Sequence, residues 1–307
     1  MLLLPIIGAA ICAPLALALG EKRVIYFPSE TENEQTNTFL ETGNQQTVFS
    51  PTHHSAESGF IIASESDHYV APFLLDSTDD IAIHLAARTL ARDIHTITGI
   101  EPRLYNDSLP TNISQAIIIG SLESKLVSSI GGDEEERETI KGKWESYDVR
   151  VTKHPLKHLE SGLVITGSDR VSTTLLSCSN YLTTQRGTVY ALYTLSEQMG
   201  VSPFHYWADV PIRPHANIAF NSSLTLTHGE PTVKYRGLFI NDEHPAMWTW
   251  AVNKWNVPKG KGAFTTEMYQ PWFEMMLRLK ANYFWPASKS FALSSSSVLK
   301  DSVRKYV

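Results

Sequence analysis

The fold is decided by the stretch Tyr235–Ala287, whose two ends read YRGLFINDEHPAMWTW and FEMMLRLKANYFWPA. The first end starts as an apolar run, Gly237-Leu238-Phe239-Ile240, and stops at Asn241-Asp242-Glu243. This pattern predicts a buried parallel strand whose last residues leave the core for a cleft. In the second end, Met268, Trp272, Met275, Met276 and Leu279 recur at three- and four-residue spacing, which predicts a helix with one apolar face. Thr265 and Thr266 are its candidate caps, while Pro271 suits a first turn and so places the helix start near Gln270. Asn282-Tyr283-Phe284-Trp285 then reads as a second short strand closed by Pro286. Trp248, Trp250 and Trp255 fall in the connection after the first strand. Strand, long loop, helix and strand make one βαβ unit, and α/β barrels carry their chemistry at the carboxyl ends of such strands.

Upstream, the run RGTVYALYTLSEQMGVSPFHYWADVPI occupies Arg186–Ile212. Together with the two ends quoted above it resembles glycoside hydrolase family 115, strongly over 186–287 and weakly over 60–230. Enzymes of that family are xylan α-1,2-glucuronidases, which remove glucuronic acid or its 4-O-methyl ether with inversion. The resemblance implies a (β/α)8 catalytic barrel beginning at Lys234, and a substrate of glucuronoxylan or aldouronic acid oligosaccharides. It implies no cofactor, and it leaves the general acid and base downstream of this chain.

An inverting glycosidase needs two carboxyl groups about 6.5–9.5 Å apart, one to protonate the leaving oxygen and one to activate water. Asp242 and Glu243 are adjacent, and neighbouring side chains on a strand point to opposite faces, so they do not form that pair. Asp242 is the candidate that accepts hydrogen bonds from sugar hydroxyls, with Asn241 or Glu243 orienting it or the first loop; the plain alternative is a strand ending at a polar turn. Trp285, in the WPA segment, is placed at the pocket edge, where an aromatic face stacks on a sugar ring. The other loop tryptophans are as well explained by packing as by binding. Trp207 and Asp209, in YWADVP, read as fastenings of a domain junction. His244, beside Pro245, reads as a solvated loop residue.

The charge of −6 over 307 residues, with 42% hydrophobic and 10% aromatic residues, is an ordinary globular balance without the basic surplus that nucleic acid binding requires. Residues 1–20 form a Leu-, Ile- and Ala-rich run that reads as a signal peptide, which implies secretion and, after removal, no membrane association. The sequons at Asn106, Asn112 and Asn221 are candidate glycosylation sites. The two cysteines are Cys12, within the leader, and Cys178. No internal disulfide is then expected, and no zinc-type spacing occurs. His53-His54 has no ligand partners at metal spacing and reads as a solvated loop, as does the acidic run Asp133–Glu136.

The expected organisation is α/β throughout. A signal peptide at 1–20 is followed by an irregular lead-in at 21–58. An α/β sandwich-like domain at 59–215, of the type that precedes the barrel in α-glucuronidases and hexosaminidases, leads through a linker at 216–233 to the first unit of a truncated (β/α)8 barrel at 234–287. Within the α/β domain the pattern predicts strands at 59–63, 116–120, 146–152 and 163–167. Helices are predicted after Asp79-Asp80, with Ile83, Ala86, Ala87, Leu90, Ile94 and Ile97 inward and Gly99 at its end, then at 125–130 and 187–199. Two stretches depart from the family pattern. Residues 171–185, VSTTLLSCSNYLTTQ, separate GLVITGSDR from RGTVYALY; Val-Ser encodable as GTAAGT and Gln as CAG give them the ends of a retained intron, the alternative being a surface loop. Residues 288–307 read as an aberrant tail, and a barrel needs about 250 residues, far more than remain after Lys234. The chain is therefore expected to be an inactive amino-terminal fragment of a secreted glycoside hydrolase. A carbohydrate-binding α/β module and a non-functional truncated product are the alternatives.

Overall fold

The computed structural model describes residues 22–28, 59–130, 137–169, 186–241, 245–257, 264 and 266–285. The leader, His53-His54, Asp133–Glu136, residues 171–185, Asp242, Glu243, His244 and the tail from 286 all lie outside them.

Among the described residues seventeen elements follow one another: β1 (Ile25–Tyr26), β2 (Gly59–Ser64), β3 (Tyr69–Val70), β4 (Phe73–Leu75), α1 (Ile81–Thr98), β5 (Leu104–Asn106), β6 (Gln115–Ser121), α2 (Lys125–Ser129), β7 (Ser146–Lys153), β8 (Ser161–Ser168), α3 (Arg186–Gln198), β9 (Asn217–Asn221), β10 (Leu226–His228), β11 (Gly237–Phe239), α4 (Met247–Lys254), α5 (Thr266–Arg278) and β12 (Tyr283–Trp285). The strands form three sheets. One is antiparallel, in the order β1-β9-β2-β3; a six-stranded mixed sheet runs β10-β7-β8-β6-β4-β5; β11 and β12 pair in parallel.

Strand alternation explains how the six-stranded sheet is buried. Phe73 and Leu75, Ile117 and Ile119, and Leu163 and Ile165 point to one face, into a core shared with α1 and α3. Leu74, Ala116, Ile118 and Val164 point to the other, against Leu109, Leu126, Ile130 and Leu159. Both faces of the parallel strands are thus dry, as their continuous apolar sequences require. Helix α1 begins at Asp80, whose carboxylate accepts from the Ala82 N–H at 2.8 Å, and ends at the left-handed Gly99. The six residues expected to face inward from it are all buried.

Helix α3 differs from its sequence pattern. A single inward stripe of Val189, Leu192, Leu195 and Met199 was expected, yet every residue from Gly187 to Gln198 is buried. The six-stranded sheet, α1 and α5 enclose it, and its polar residues find partners within the protein. Thr194 and Tyr147 share a hydrogen bond of 3.0 Å between hydroxyls, and the Gln198 side chain accepts from the Val24 N–H at 2.9 Å and donates to the Lys22 carbonyl at 3.0 Å. An added Cβ at Gly187 would stand 2.2 Å from the Ser146 carbonyl oxygen, so the helix start lies directly on β7.

Residues 216–233, expected as a linker, instead supply two strands. β9 is the interior strand between β1 and β2, and β10 completes the edge of the six-stranded sheet beside β7. The short lead-in strand β1 is likewise part of the fold. Local sequence could not show this, because β9 and β10 gain their identity from partners far away in the chain.

Candidate functional site at the paired strands

The carboxyl ends of β11 and β12 are set by how their amino ends are held. Gly237 opposes Tyr283, and a Cβ there would fall 2.0 Å from the Tyr283 carbonyl oxygen. The Arg236 carbonyl accepts from the N–H groups of Asn282 and Tyr283, while the Asn282 side chain accepts from the Arg236 N–H at 2.9 Å. Arg236 donates from Nε to the Lys280 carbonyl and pairs with Glu145, which also receives Arg186 Nε at 2.7 Å and the Asn282 amide at 2.8 Å. The Glu145 side chain is fully buried, so these three donors are what keep its charge tolerable there.

A second buried charge cluster seats α5. Arg278 is 2% exposed and donates to both carboxylate oxygens of Asp93, at 3.0 and 2.9 Å, to Glu274, and to the Ser196 hydroxyl at 2.9 Å. Burial opposes the charge of Glu274, but Arg278 and Arg92 outweigh it and hold its pKa below the usual value. Trp207 donates from its indole N–H to the Pro271 carbonyl at 3.2 Å and packs edge-on against Trp272 at 5.2 Å. The expectation that Trp207 fastens a junction agrees with this contact.

Helix α5 starts at Thr266, not near Gln270, so Pro271 lies inside it. Its inner residues are Met268, Tyr269, Phe273 and Met276, which pack on Ile240 and Phe284; Tyr269 and Phe273 had not been picked out by spacing. The tryptophan-bearing connection is not all loop, because α4 carries Trp248 and Trp250 within it. Trp250 contacts both Trp207 and Trp255, forming an aromatic cluster that packs the connection against the helix.

The expected burial of β11 is overturned. Leu238, Ile240 and Phe284 pack towards the helices, but Phe239 is 56% exposed, Tyr283 51% and Trp285 60%. Among the described residues only one face of this two-stranded sheet is covered. Phe239 opposes Trp285 in register, with rings edge-on at 5.6 Å, and the Ile240 N–H donates to the Trp285 carbonyl at 3.1 Å. Asn241 follows, exposed, two residues after Phe239 and so at the next position of the same alternation. Of the four expected substrate contacts, Asn241 and Trp285 are therefore gathered at one end of the paired strands, while Asp242 and Glu243 lie outside the described residues. Phe239 and Tyr283 are additional members of the open face; period-2 alternation was the signal that could have found them.

The carboxylates whose pKa values are pushed up belong elsewhere. Burial raises Asp169 to about 7, against the opposing influence of Arg186 and of the Glu145 and Arg186 backbone N–H groups. Burial likewise raises Asp148 to about 6, against the Thr227 hydroxyl. Asp148 is in β7 and Asp169 just follows β8, so both serve the first domain. Among the described residues no group of three or more His, Cys, Asp or Glu could hold a metal ion, and no helix is long and apolar enough to cross a membrane. Asn106 and Asn112 are exposed, and Asn221 is half-buried with its carbonyl oxygen held by Ser223.

No curated protein sequence matches the chain. Among solved structures, a family GH115 4-O-methyl-α-glucuronidase with specificity for decorated arabinogalactans shares its fold, at 24% identity and a TM-score of 0.63. That similarity covers 80% of this chain and 28% of the solved one, so the chain spans little more than a quarter of that relative. A Streptomyces plicatus β-hexosaminidase, at 11% identity, TM-score 0.39 and coverage of 75% and 31%, is too distant to carry an argument. The same holds for a Flavobacterium johnsoniae chitobiase at 13%, 0.37, 75% and 25%. The sequence profile of glycosyl hydrolase family 115 matches residues 228–305, and so continues through most of the tail that had been expected to depart from the family. The matched residues hold β11, α4, α5, β12 and the open aromatic face, and it is there that the chain is similar to glycosyl hydrolase family 115.

Proposed function

We propose that the chain is the amino-terminal part of a secreted glycoside hydrolase that removes α-1,2-linked glucuronic acid, or its 4-O-methyl ether, from xylan with inversion. The observation that carries this reading is the open carboxyl end of β11 and β12 inside the family-matched segment, where Phe239 and Trp285 pack edge-on and exposed Asn241 follows. A pyranose ring presents an apolar face that suits Trp285 and hydroxyls that suit Asn241 and a neighbouring carboxylate. Asp242 would accept hydrogen bonds from those hydroxyls, with Glu243 orienting it or the loop. The acid and base of the inverting step belong to later parts of the barrel, since Asp242 and Glu243 are adjacent and cannot straddle a glycosidic bond.

On this reading residues 21–307 bind aldouronic acids weakly and release no glucuronic acid. Purified chain incubated with aldouronic acids and assayed for free glucuronic acid tests it; catalytic release would place a complete site within this chain. In a version of the gene carrying the whole barrel, Asp242→Ala should lower turnover about ten- to a hundredfold, the worth of one charged hydrogen bond. Near-normal turnover would remove Asp242 from the site. Secretion with cleavage after the leader follows from residues 1–20, and cytosolic protein retaining Met1 would refute it.

A further inference from the structure

A second cleft lies at the other side of the first domain, at the amino ends of β4, β5 and β6. It encloses about 350 Å³, and Tyr69, Arg103, Tyr105, Asn112, Ser114 and Gln115 contribute its polar lining. Tyr69 and Tyr105 line the hollow half-buried, each also packing against a core cluster, and burial raises the Tyr69 pKa so that its phenol remains a hydrogen-bond donor. Among the described residues the two phenols, the Arg103 guanidinium and the side-chain amides of Asn112 and Gln115 have no hydrogen-bond partner. Five planar or hydroxyl groups with unspent capacity around two aromatic rings are unsuited to an apolar guest, which would leave them unsatisfied. A single cation on a chain of net charge −6 is equally unsuited to a nucleic acid. A sugar fits both features, with C–H faces for the tyrosines and hydroxyl edges for the amides. Arg103 adds the fork that matches a carboxylate.

We propose that this cleft is an accessory saccharide site, separate from the open face of β11 and β12, that takes one or two pyranose rings with a carboxylate against Arg103. The volume is at the small end of ligand pockets, which begin at about 300 Å³. The choice of a uronate-bearing probe rests on the family reading above; the cleft itself does not. Two sources supply such a sugar. One is a free oligosaccharide. The other is a glycan on Asn112, because the whole sequon Asn112-Ile113-Ser114 lines the hollow.

The test is calorimetric titration of residues 21–307, made in a host that adds no glycans, with a glucuronic-acid-bearing xylo-oligosaccharide and its neutral counterpart. We expect millimolar or tighter binding that favours the acidic sugar, weakened about tenfold by Tyr105→Ala. Arg103→Gln should abolish the acidic preference, and the thermal midpoint of each variant serves as the fold control. No binding, or wild-type binding by both variants with intact folds, overturns the proposal. Binding lost on Trp285→Ala but kept in Tyr105→Ala belongs to the carboxyl-end face and also overturns it, whereas the converse supports this cleft even if the hydrolase reading fails. Chain from a glycosylating host separates the sources. Binding blocked there, with a glycan on Asn112 detected by mass spectrometry, and restored when N-glycosylation is inhibited in the same host identifies the attached glycan as occupant, and unchanged binding identifies the free sugar.

Discussion

Strands β6 and β11 make the instructive comparison. Both are short, apolar and parallel to a neighbour, yet β6 is buried from Ala116 to Ser121 while β11 leaves Phe239 more than half exposed. The difference is not in residue type. β6 lies between β4 and β8, with α1 and α3 on one side and the Leu126–Ile130 cluster on the other. Among the described residues β11 has one strand neighbour and helices on one side. A strand is as buried as the elements around it allow, and polar anchors through Arg236 and Arg278 tie the region around β11 to the first domain.

The largest expected effect follows from that anchoring. Arg278→Met should lower stability by about 3–5 kcal/mol, because it leaves the buried Asp93 carboxylate without its cation. Urea unfolding should show the loss, and limited proteolysis should show cleavage of 234–285 before the first domain. A variant that unfolds in one step near the wild-type midpoint would mean that the cluster does not hold the unit.

Paired truncations sharpen the contrast between the strands. Ile117→Ala should cost about 2–5 kcal/mol, a large-to-small change in a core closed on both sides. Phe239→Ala should cost no more than about 0.5 kcal/mol, since most of its ring already meets solvent. Equal losses would show that the open face is covered in solution.

The first domain also carries a pH dependence opposite in sign to the one that the lowered pKa of Glu274 gives α5. The Asp169 pKa is raised by burial to about 7, so the folded protein binds a proton that the unfolded chain has released above about 4. Stability therefore falls as pH rises through this window and levels off above about 7. Asp148, raised to about 6, acts in the same direction. Asp169→Asn should flatten the decline in urea midpoint between pH 5 and 8, and an unchanged slope would exclude Asp169 as its source.

A small effect is also expected from deleting residues 171–185. Asp169 Oδ2 accepts from the Arg186 N–H at 2.7 Å across the segment. After deletion Arg186 becomes the second residue beyond Asp169, which is the spacing at which an N-cap carboxylate ordinarily serves a helix. The thermal midpoint should stay within the equivalent of about 1 kcal/mol. Loss of folding would make the segment an integral part of the domain, against its reading as a retained intron.

Much of this architecture was legible in residue order. Asp80 and Gly99 bounded α1, the apolar β-branched runs at 116–120 and 163–167 gave β6 and β8, and the run around Tyr235–Ala287 specified a βαβ unit, because caps, periodicity and turn chemistry are local. The polar residues after Phe239 and the tryptophan at 285 marked the end of that unit where a sugar is proposed to bind. What only tertiary structure decided were the features that depend on distant partners. β9 and β10 arose where a linker was expected, since an edge or interior strand exists only with its neighbour. α3 was buried all round, because Tyr147, Val24 and Lys22 satisfy its polar groups from other elements. Glu145 and Asp93 emerged as buried anchors for arginines far along the chain, and Phe239 and Tyr283 joined Trp285 on an open face. Sequence sets which groups must be satisfied or hidden; the packing of remote segments decides which of them are.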